Sequence, residues 1–165
     1  MRILVTGGTG FIGRNLAKKL SGFGYSVSIT GREPPADGNL EFLGRNFWDL
    51  DWKSIGRFDL VFHQAAINDT MMHDWDRMFF VNSYAARDLF INALNRGCGR
   101  FVYASSTAVY GNLPVPFQES QEPRPLNEYG ESKKLLENLV KEVNGKFPEA
   151  VFVGLRYCNV YGPRE

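Results

Sequence analysis

The chain has 165 residues, 44% of them hydrophobic and 22% charged, which is the composition of a single ordinary globular domain. Its 19 Lys and Arg against 18 Asp and Glu give a formal net charge of +1, which favours neither nucleic acid nor a membrane surface as a partner. The sequence contains no long apolar run, and its only cysteines are Cys98 and Cys158. We therefore predict a cytoplasmic protein, because two lone thiols are typical of a reducing compartment.

Short β-branched runs alternate with longer helical stretches along the chain. The predicted strands are 3–6, 25–30, 40–43, 58–64, 100–105 and 150–156, and the predicted helices are 11–20, 74–95 and 128–143. The helix over 74–95 places five apolar residues near one face: Met78, Val81, Ala85, Leu89 and Ala93. Strands that alternate with helices pair in parallel through right-handed crossovers, so the pattern predicts an α/β fold with a doubly wound parallel sheet.

A Pro-rich segment over 113–125 interrupts this alternation. Its four prolines exclude a helix or a central strand, so we expect a surface loop. The segment is longer than a simple connection requires, which favours a functional loop near a site.

A glycine-rich turn joins the first strand to the first helix. Gly7 allows the tight turn, Gly10 lets the backbone approach a pyrophosphate, and Gly13 allows the helix to pack against the strand. Phe11 and Ile12 open the helix, whose free N–H groups favour phosphate. This is the dinucleotide-binding signature of a Rossmann-type sheet, and it predicts a nicotinamide cofactor.

The residue that follows the second strand selects between the two nicotinamide cofactors. NAD-binding sites place an acid there for the ribose 2′-hydroxyl, whereas this chain has Gly31-Arg32. A guanidinium suits a 2′-phosphate, so we predict NADP, with NAD as the alternative. Glu33 follows directly, and an ordinary exposed loop arginine stays open as a second interpretation.

Asp49 and Leu50 follow the third strand, and two interpretations apply to them. The carboxylate and the apolar side chain suit the amine and the ring of an adenine. Asp49 is equally suited to cap a short helix over 50–55.

Tyr129 and Lys133 lie one helical turn apart, so they share a face of the helix over 128–143. An ammonium close to a phenol stabilises the phenolate, so we expect Lys133 to lower the pKa of Tyr129. Ser105 and Ser106 end the fifth strand and bring a hydroxyl to the same cleft. Ser, Tyr and Lys together are an acid–base relay for oxidising an alcohol by hydride transfer.

Five motifs in register resemble the extended short-chain dehydrogenases, the NAD(P)-dependent nucleotide-sugar epimerases and dehydratases. They are TGGTGFIG (6–13), HQAA (63–66), ASSTAVYG (104–111), YGESK (129–133) and RYCNVYGP (156–163). The resemblance implies that Ser106, Tyr129 and Lys133 are catalytic, and that Tyr129 and Lys133 also contact the cofactor. It further implies that Asp49 and Leu50 contact adenine, that Ala65 and Ala66 line the cofactor, and that Asn82 is structural.

Within this family, three short stretches look most like the ADP-glycero-manno-heptose 6-epimerases. These are 68–70, 125–133 and 159–165. The 4,6-dehydratases carry Thr-Asp-Glu where this chain has Ser106-Thr107-Ala108, so a dehydratase is disfavoured.

The function expected from this resemblance is a nucleotide-sugar epimerase that oxidises and re-reduces its substrate through a bound nicotinamide. The alternatives are a nucleotide-sugar ketoreductase, which uses the same three residues, and a non-catalytic NADP-binding module. No metal site is expected, because His63 and His73 are too few.

We expect residues 1–165 to form the cofactor domain of a longer enzyme, with the substrate domain absent and the fragment inactive alone. The expected partners are a nucleotide sugar and a second copy, which would pair through the helices over 74–95 and 128–143 as in many relatives.

Overall fold

The computed structural model describes residues 1–35, 38, 40–69 and 74–162, so Thr70, His73 and residues 163–165 of the sequence-based predictions lie outside it. Its strands are β1 (Arg2–Thr6), β2 (Ser26–Thr30), β3 (Glu41–Gly44), β4 (Leu60–His63), β5 (Arg100–Ser106) and β6 (Val151–Tyr157). Its α-helices are α1 (Phe11–Gly22), α2 (Trp75–Phe79), α3 (Ala85–Leu94) and α4 (Glu128–Lys146). No helix in these described ranges is both long and apolar enough to cross a membrane.

The six strands form one parallel sheet in the order β3-β2-β1-β4-β5-β6. This confirms the predicted Rossmann-type doubly wound α/β fold. The strand order reverses between β1 and β4, where Thr6 pairs with His63. A crevice opens outside the carboxyl ends of the strands at such a reversal, and ligands bind there in doubly wound sheets.

Each face of the sheet has its own apolar core. Alternate residues of β1 point to opposite faces, so Ile3 and Val5 pack with α1 on one side and Leu4 belongs to the cluster on the other. The larger cluster includes Phe90 of α3, Phe101 of β5 and Leu136 of α4. These layers hold the strand ends and the helix N-termini in fixed relative positions.

The predicted helix over 74–95 is not continuous. A π-helical turn at Phe80–Tyr84 separates α2 from α3, and Asn82 within it is fully buried. The five apolar residues predicted to share a face are all buried, as expected. The π turn accommodates Asn82, whose amide makes three hydrogen bonds to groups outside the helix.

Several predicted boundaries shift by a few residues. The strand predicted over 58–64 is the shorter β4, β3 begins one residue later than predicted, and α4 extends to Lys146. No helix forms over 50–55, where the chain makes a turn in which the Asp51 carboxylate accepts from the Lys53 N–H. The Pro-rich segment over 113–125 contains no helix or strand, which confirms the loop.

Candidate active site

The glycine-rich turn between β1 and α1 leaves no room for side chains at several positions, Gly7 and Gly13 among them. A Cβ on Gly7, whose φ is 68°, would lie 2.8 Å from the Ala65 nitrogen, and one on Gly13 would lie 2.2 Å from the Gly7 oxygen. The Gly10 N–H donates to the same oxygen at 2.9 Å. The backbone of this turn is therefore the surface presented to a ligand, as a bound pyrophosphate requires.

The N-terminus of α1 differs from those of α2 and α4. Gly10 caps α1 without a side-chain hydrogen bond, and the first turn, which begins with Phe11 and Ile12, has no acidic residue. By contrast, Asp74 caps α2 and Asn127 caps α4 through side-chain oxygens. Neither the Gly10 cap nor the first turn of α1 therefore offers an acidic or capping side chain to the first N–H groups, which suits an anion.

The end of β4 forms the wall opposite the glycine turn. Ala65 and Ala66 are half-buried there, as expected for residues that line a cofactor, and the Ala65 backbone packs against Gly7. His63 is fully buried, and its Nδ1 lies 2.8 Å from the Thr6 Oγ1. Burial, and secondarily the Lys133 charge, lowers the pKa of His63 to about 3, so this ring is neutral at pH 7.

Arg32 lies at the carboxyl end of β2, beside the glycine turn. Its N–H donates to the Thr9 Oγ1 at 3.1 Å, and a Cβ on Gly31 would lie 2.1 Å from that same oxygen. The Arg32 side chain is exposed. The turn therefore fixes the Arg32 backbone and leaves its guanidinium accessible at the mouth of the crevice.

Asp49 and Leu50 follow β3 through a 3-10 helix at Phe47–Asp49. The Asp49 carboxylate is exposed and accepts from the Asn46 side chain at 2.8 Å, so it does not cap a helix and that interpretation is wrong. Leu50 belongs to the larger core and is 8% exposed, which leaves little of its side chain for an adenine ring.

The structure brings Ser106, Tyr129 and Lys133 together at the carboxyl end of β5. Ser106 lies close enough to the Tyr129 phenol to lower its pKa, and the Lys133 Nζ lies 5.8 Å from the centre of the Tyr129 ring. Lys133 is 1% exposed and donates to the Ala104 carbonyl at 2.9 Å. The three groups meet as the sequence predicts for an acid–base relay.

The pKa of Tyr129 differs from the expectation. Burial raises it, and the Ser106 hydrogen bond offsets part of that rise. The expected lowering by Lys133 is wrong for this geometry, because the ammonium hydrogen-bonds the Ala104 carbonyl rather than the phenol. Burial also lowers the pKa of Lys133 to about 8.

A second set of polar contacts fixes α4 and was not predicted from the sequence. Asn82 accepts from the Ile67 N–H and donates to the Ile67 carbonyl, both at 2.8 Å, and also donates to the Ser132 Oγ at 3.0 Å. Ser132 in turn donates to the Tyr129 carbonyl, and Ser83 donates to the Ser132 carbonyl. Asn82 thus joins the loop after Ala66 to the helix that carries Tyr129. The sequence signal for these contacts was Asn82 itself, a polar residue among the apolar positions of its helix.

Metal chemistry has no evident ligands in the described part of the chain, where no group of three His, Cys, Asp or Glu side chains is placed to hold an ion. Both cysteines are free thiols, Cys98 buried and Cys158 exposed. The groups that this site offers for chemistry are the hydroxyls of Ser106 and Tyr129, the buried ammonium of Lys133 and the glycine turn.

Comparison with known proteins agrees with this geometry. The family model of the NAD dependent epimerase/dehydratase family matches residues 3–165. Among solved structures, the chain is similar to MoeE5 in complex with UDP-glucose and NAD, with 30% identity and a TM-score of 0.90. It is similar to a UDP-N-acetylglucosamine 4-epimerase from Methanobrevibacter ruminantium, in complex with UDP-N-acetylmuramic acid, with 31% identity and a TM-score of 0.89.

A third similar structure is the ADP-L-glycero-D-manno-heptose-6-epimerase of Helicobacter pylori, with 32% identity and a TM-score of 0.85. Each of these three alignments covers 99% of this chain and 56% of the other. The chain therefore spans just over half the length of the structures that it matches.

Proposed function

Because the chain belongs to the NAD dependent epimerase/dehydratase family, we propose that it is the cofactor-binding and catalytic part of a nucleotide-sugar epimerase. The observation that carries the proposal is the meeting of Ser106, Tyr129 and Lys133 beside the glycine cradle. An epimerase of this kind oxidises one sugar carbon and then reduces it from the other face. When bound, the nicotinamide supplies the hydride acceptor and donor for both halves.

The residues present fit a dinucleotide. The cradle at Gly7 and Gly13 has no space for a Cβ, and the uncapped N-terminus of α1 offers N–H groups to a pyrophosphate. Ala65 and Ala66 are small enough to let a flat ring approach the end of β4. These features support binding of a nicotinamide dinucleotide along the carboxyl ends of β1, β2 and β4.

The proton chemistry belongs to the chain itself. In its phenolate form, Tyr129 takes the proton of the sugar hydroxyl during oxidation, and the phenol so formed returns that proton during reduction. Ser106 hydrogen-bonds the same substrate oxygen, and Lys133 keeps a positive charge close to the phenol, since a pKa of about 8 leaves it mostly protonated at pH 7. Lys133 also reaches the cofactor ribose in this proposal.

We infer that the preferred cofactor is NADP rather than NAD. The exposed Arg32 guanidinium lies where a ribose 2′-phosphate would be recognised, and no acid takes the place that an NAD site requires. Calorimetric titration should show tighter binding of NADP(H) than of NAD(H), with the difference lost in Arg32→Ala. Arg57→Ala, an exposed arginine at the far end of the sheet, should leave the ratio unchanged. Equal affinities in the wild type would mean that Arg32 is an ordinary loop arginine.

For the substrate we propose an ADP-activated heptose epimerised at carbon 6. The three sequence stretches that resemble the heptose epimerases support this choice, as does the similarity to the Helicobacter pylori enzyme. Incubation of the full-length protein with such a sugar, followed by NMR of the product, tests it. Net consumption of reduced cofactor would instead indicate a ketoreductase, and turnover only with UDP-sugars would contradict the heptose assignment.

We also propose a homodimer, located in the cytoplasm, that pairs through the α2–α3 and α4 helices. Phe80 and Tyr84 are 45% and 43% exposed and lie four residues apart, so they extend an apolar stripe on the outer face. A two-fold axis would place this stripe against its copy. Sedimentation of the full-length protein should show a dimer that Phe80→Glu dissociates, and a monomer in the wild type would contradict the arrangement.

The decisive experiment replaces Tyr129 with Phe in the full-length protein. The change removes one oxygen and little volume, so cofactor affinity should persist while turnover falls by about 10²-fold or more. Lys133→Met should weaken both, because Lys133 serves the ribose and the phenol. Tyr25→Phe, at an exposed tyrosine outside the crevice, is the matched control. Near-normal turnover in Tyr129→Phe would favour a non-catalytic NADP-binding module.

A further inference from the structure

Three consecutive residues at the end of β5 are each bound by a different side chain of α4. The Ala104 carbonyl accepts from Lys133 at 2.9 Å, and Ser106 lies beside the Tyr129 phenol. Between them, the Ser105 Oγ donates to the Glu137 Oε1 at 2.5 Å. Positions 129, 133 and 137 are one turn apart, so a single face of α4 holds the whole end of the strand.

Glu137 also binds the neighbouring strand. Arg156 of β6 donates from Nε to Oε1 at 2.9 Å and from Nη2 to Oε2 at 2.7 Å, which is a two-point contact. Arg156 pairs with Ser105 in the sheet and stacks over the Tyr110 ring at 4.7 Å. One carboxylate therefore ties α4 to β5 and β6 at the edge of the candidate active site.

The Glu137 carboxylate and its serine partner are both buried. Ser105 is 2% exposed and Glu137 is 8% exposed, so the carboxylate depends on its protein donors rather than on water. A buried charge is held in place by the geometry of the groups that satisfy it. Any movement of the end of β5 away from α4 would break these contacts.

We propose that Glu137 is a positioning residue for the proton relay: by clamping Ser105 and Arg156, it sets the distance between the Ser106 hydroxyl and the Tyr129 phenol. Glu137 touches neither the proposed substrate nor the cofactor, and it acts through its strand contacts. The inference rests on the proposed function of Ser106 and Tyr129, and it assigns a role to a residue that the motifs did not single out.

The chain contains a matched control. At the opposite end of the sheet, Glu41 accepts from the Ser28 Oγ at 2.5 Å and from the Arg2 Nη2 at 3.0 Å. The same three residue types thus join β1, β2 and β3 far from Tyr129. Glu41→Gln and Ser28→Ala reproduce the chemical changes of Glu137→Gln and Ser105→Ala without touching the relay.

The experiment compares these four variants in the full-length protein, together with Tyr129→Phe. Glu137→Gln should lower kcat by about tenfold, with KM and cofactor Kd within about twofold, because orientation and not binding is lost. Ser105→Ala removes one hydrogen bond and leaves the Arg156–Glu137 contact in place, so this variant should fold even where Glu137→Gln does not. Its kcat should fall about threefold. Both control variants should keep the wild-type kcat.

A second readout does not need turnover. The phenol of Tyr129 can be titrated by difference absorbance against Tyr129→Phe in each background. Loss of the Ser106 hydrogen bond should raise its pKa further in Glu137→Gln and leave it unchanged in Glu41→Gln.

The outcomes separate the two proposals. If Tyr129→Phe is inactive but Glu137→Gln keeps the wild-type kcat and phenol pKa, the clamp is merely structural and the inference is overturned. If Tyr129→Phe is fully active, the proposed function fails, and the phenol titration alone still decides whether Glu137 positions Ser106.

Discussion

The two ends of the sheet carry the same polar triad in different surroundings. At the carboxyl end, the Glu137 side chain is 10% exposed and Arg156 is 17% exposed. At the amino end, the Glu41 side chain is 53% exposed and Arg2 is 31% exposed. In both triads a serine hydroxyl lies 2.5 Å from the carboxylate. The triads differ in burial and in the arginine contact, which is two-point at Glu137 and single at Glu41.

This difference shows how burial determines what a polar network does. When a half-exposed carboxylate loses a protein donor, water hydrogen-bonds it instead. The triad of Arg2, Ser28 and Glu41 therefore contributes little to stability. A buried carboxylate has no such substitute, and removing its partner leaves an unpaired charge in the protein. The buried triad also joins a helix to two strands, whereas the exposed triad joins only strands. The carboxyl end should therefore be the more sensitive end of the molecule, in binding, in stability and in its response to pH.

The largest expected effect concerns the two ends of α1. Gly13→Ala should abolish measurable cofactor binding, a loss of about 10²-fold or more, because its Cβ would lie 2.2 Å from the Gly7 oxygen and force the cradle apart. A Cβ on Gly22, at the C-terminus of the same helix, has nothing within 4 Å, so Gly22→Ala should bind the cofactor normally. Fluorescence titration with NADPH measures both, and retained affinity in Gly13→Ala would show that the cradle does not hold the pyrophosphate.

The next effect is on stability. Arg156→Met should lower the free energy of unfolding by about 3 kcal/mol, because Glu137 then keeps a buried charge without its main partner. Arg2→Met should cost less than about 1 kcal/mol through the loss of its ion pair, since Glu41 stays hydrated. Urea denaturation of the two variants gives the comparison directly. Similar losses at both ends would mean that burial does not separate the two triads.

The smallest expected effect is a dependence of the free energy of unfolding on pH. In mildly acidic solution, only the carboxyl end of the sheet should contribute to it. His63 has a pKa of about 3 when folded and about 6.5 when unfolded, so below pH 6.5 the unfolded chain binds the extra proton. Stability therefore falls with decreasing pH, by up to about 1.4 kcal/mol for each pH unit. Between pH 6.5 and 5 the total loss is about 2 kcal/mol.

At the amino end of the sheet, Glu41 also loses its contribution to stability as the pH falls, but over a more acidic range. The pKa of Glu41 is lowered from 4.5, so its contribution is complete above that value and is lost only in stronger acid. Urea denaturation of wild type and His63→Asn across this range provides the test. An unchanged slope in His63→Asn would show that the buried ring is not the titrating group.

Local sequence features predicted most of the fold and most of the proposed proton relay. The alternation of β-branched runs with helical segments predicted the parallel sheet, because both patterns depend on near neighbours in the chain. The glycine turn and the Tyr129–Lys133 spacing are equally local, since a tight turn and one helical turn have fixed geometries. The end of the fifth strand offered Ser105 and Ser106, the resemblance to a known family selected Ser106, and the structure places it beside Tyr129.

The polar contacts between distant segments required the tertiary structure. Nothing near Glu137 in the sequence indicates Ser105, 32 residues earlier, or Arg156, 19 residues later. Asn82 likewise meets Ser132 across 50 residues, and its burial interrupts a helix that periodicity predicted as continuous. The partner of Lys133 was likewise decided by the tertiary structure, because Lys133 hydrogen-bonds the carbonyl of Ala104 rather than the Tyr129 hydroxyl.

The sequence by itself determined the order of the strands along the chain, the sheet type, the glycine turn and the Tyr129–Lys133 pair, because each depends on spacing along a few residues. Only the tertiary structure decided which polar groups are buried and which partners satisfy them. A buried donor or acceptor must find its partner wherever the packed layers place one, and that position follows from the folded sheet and helices together.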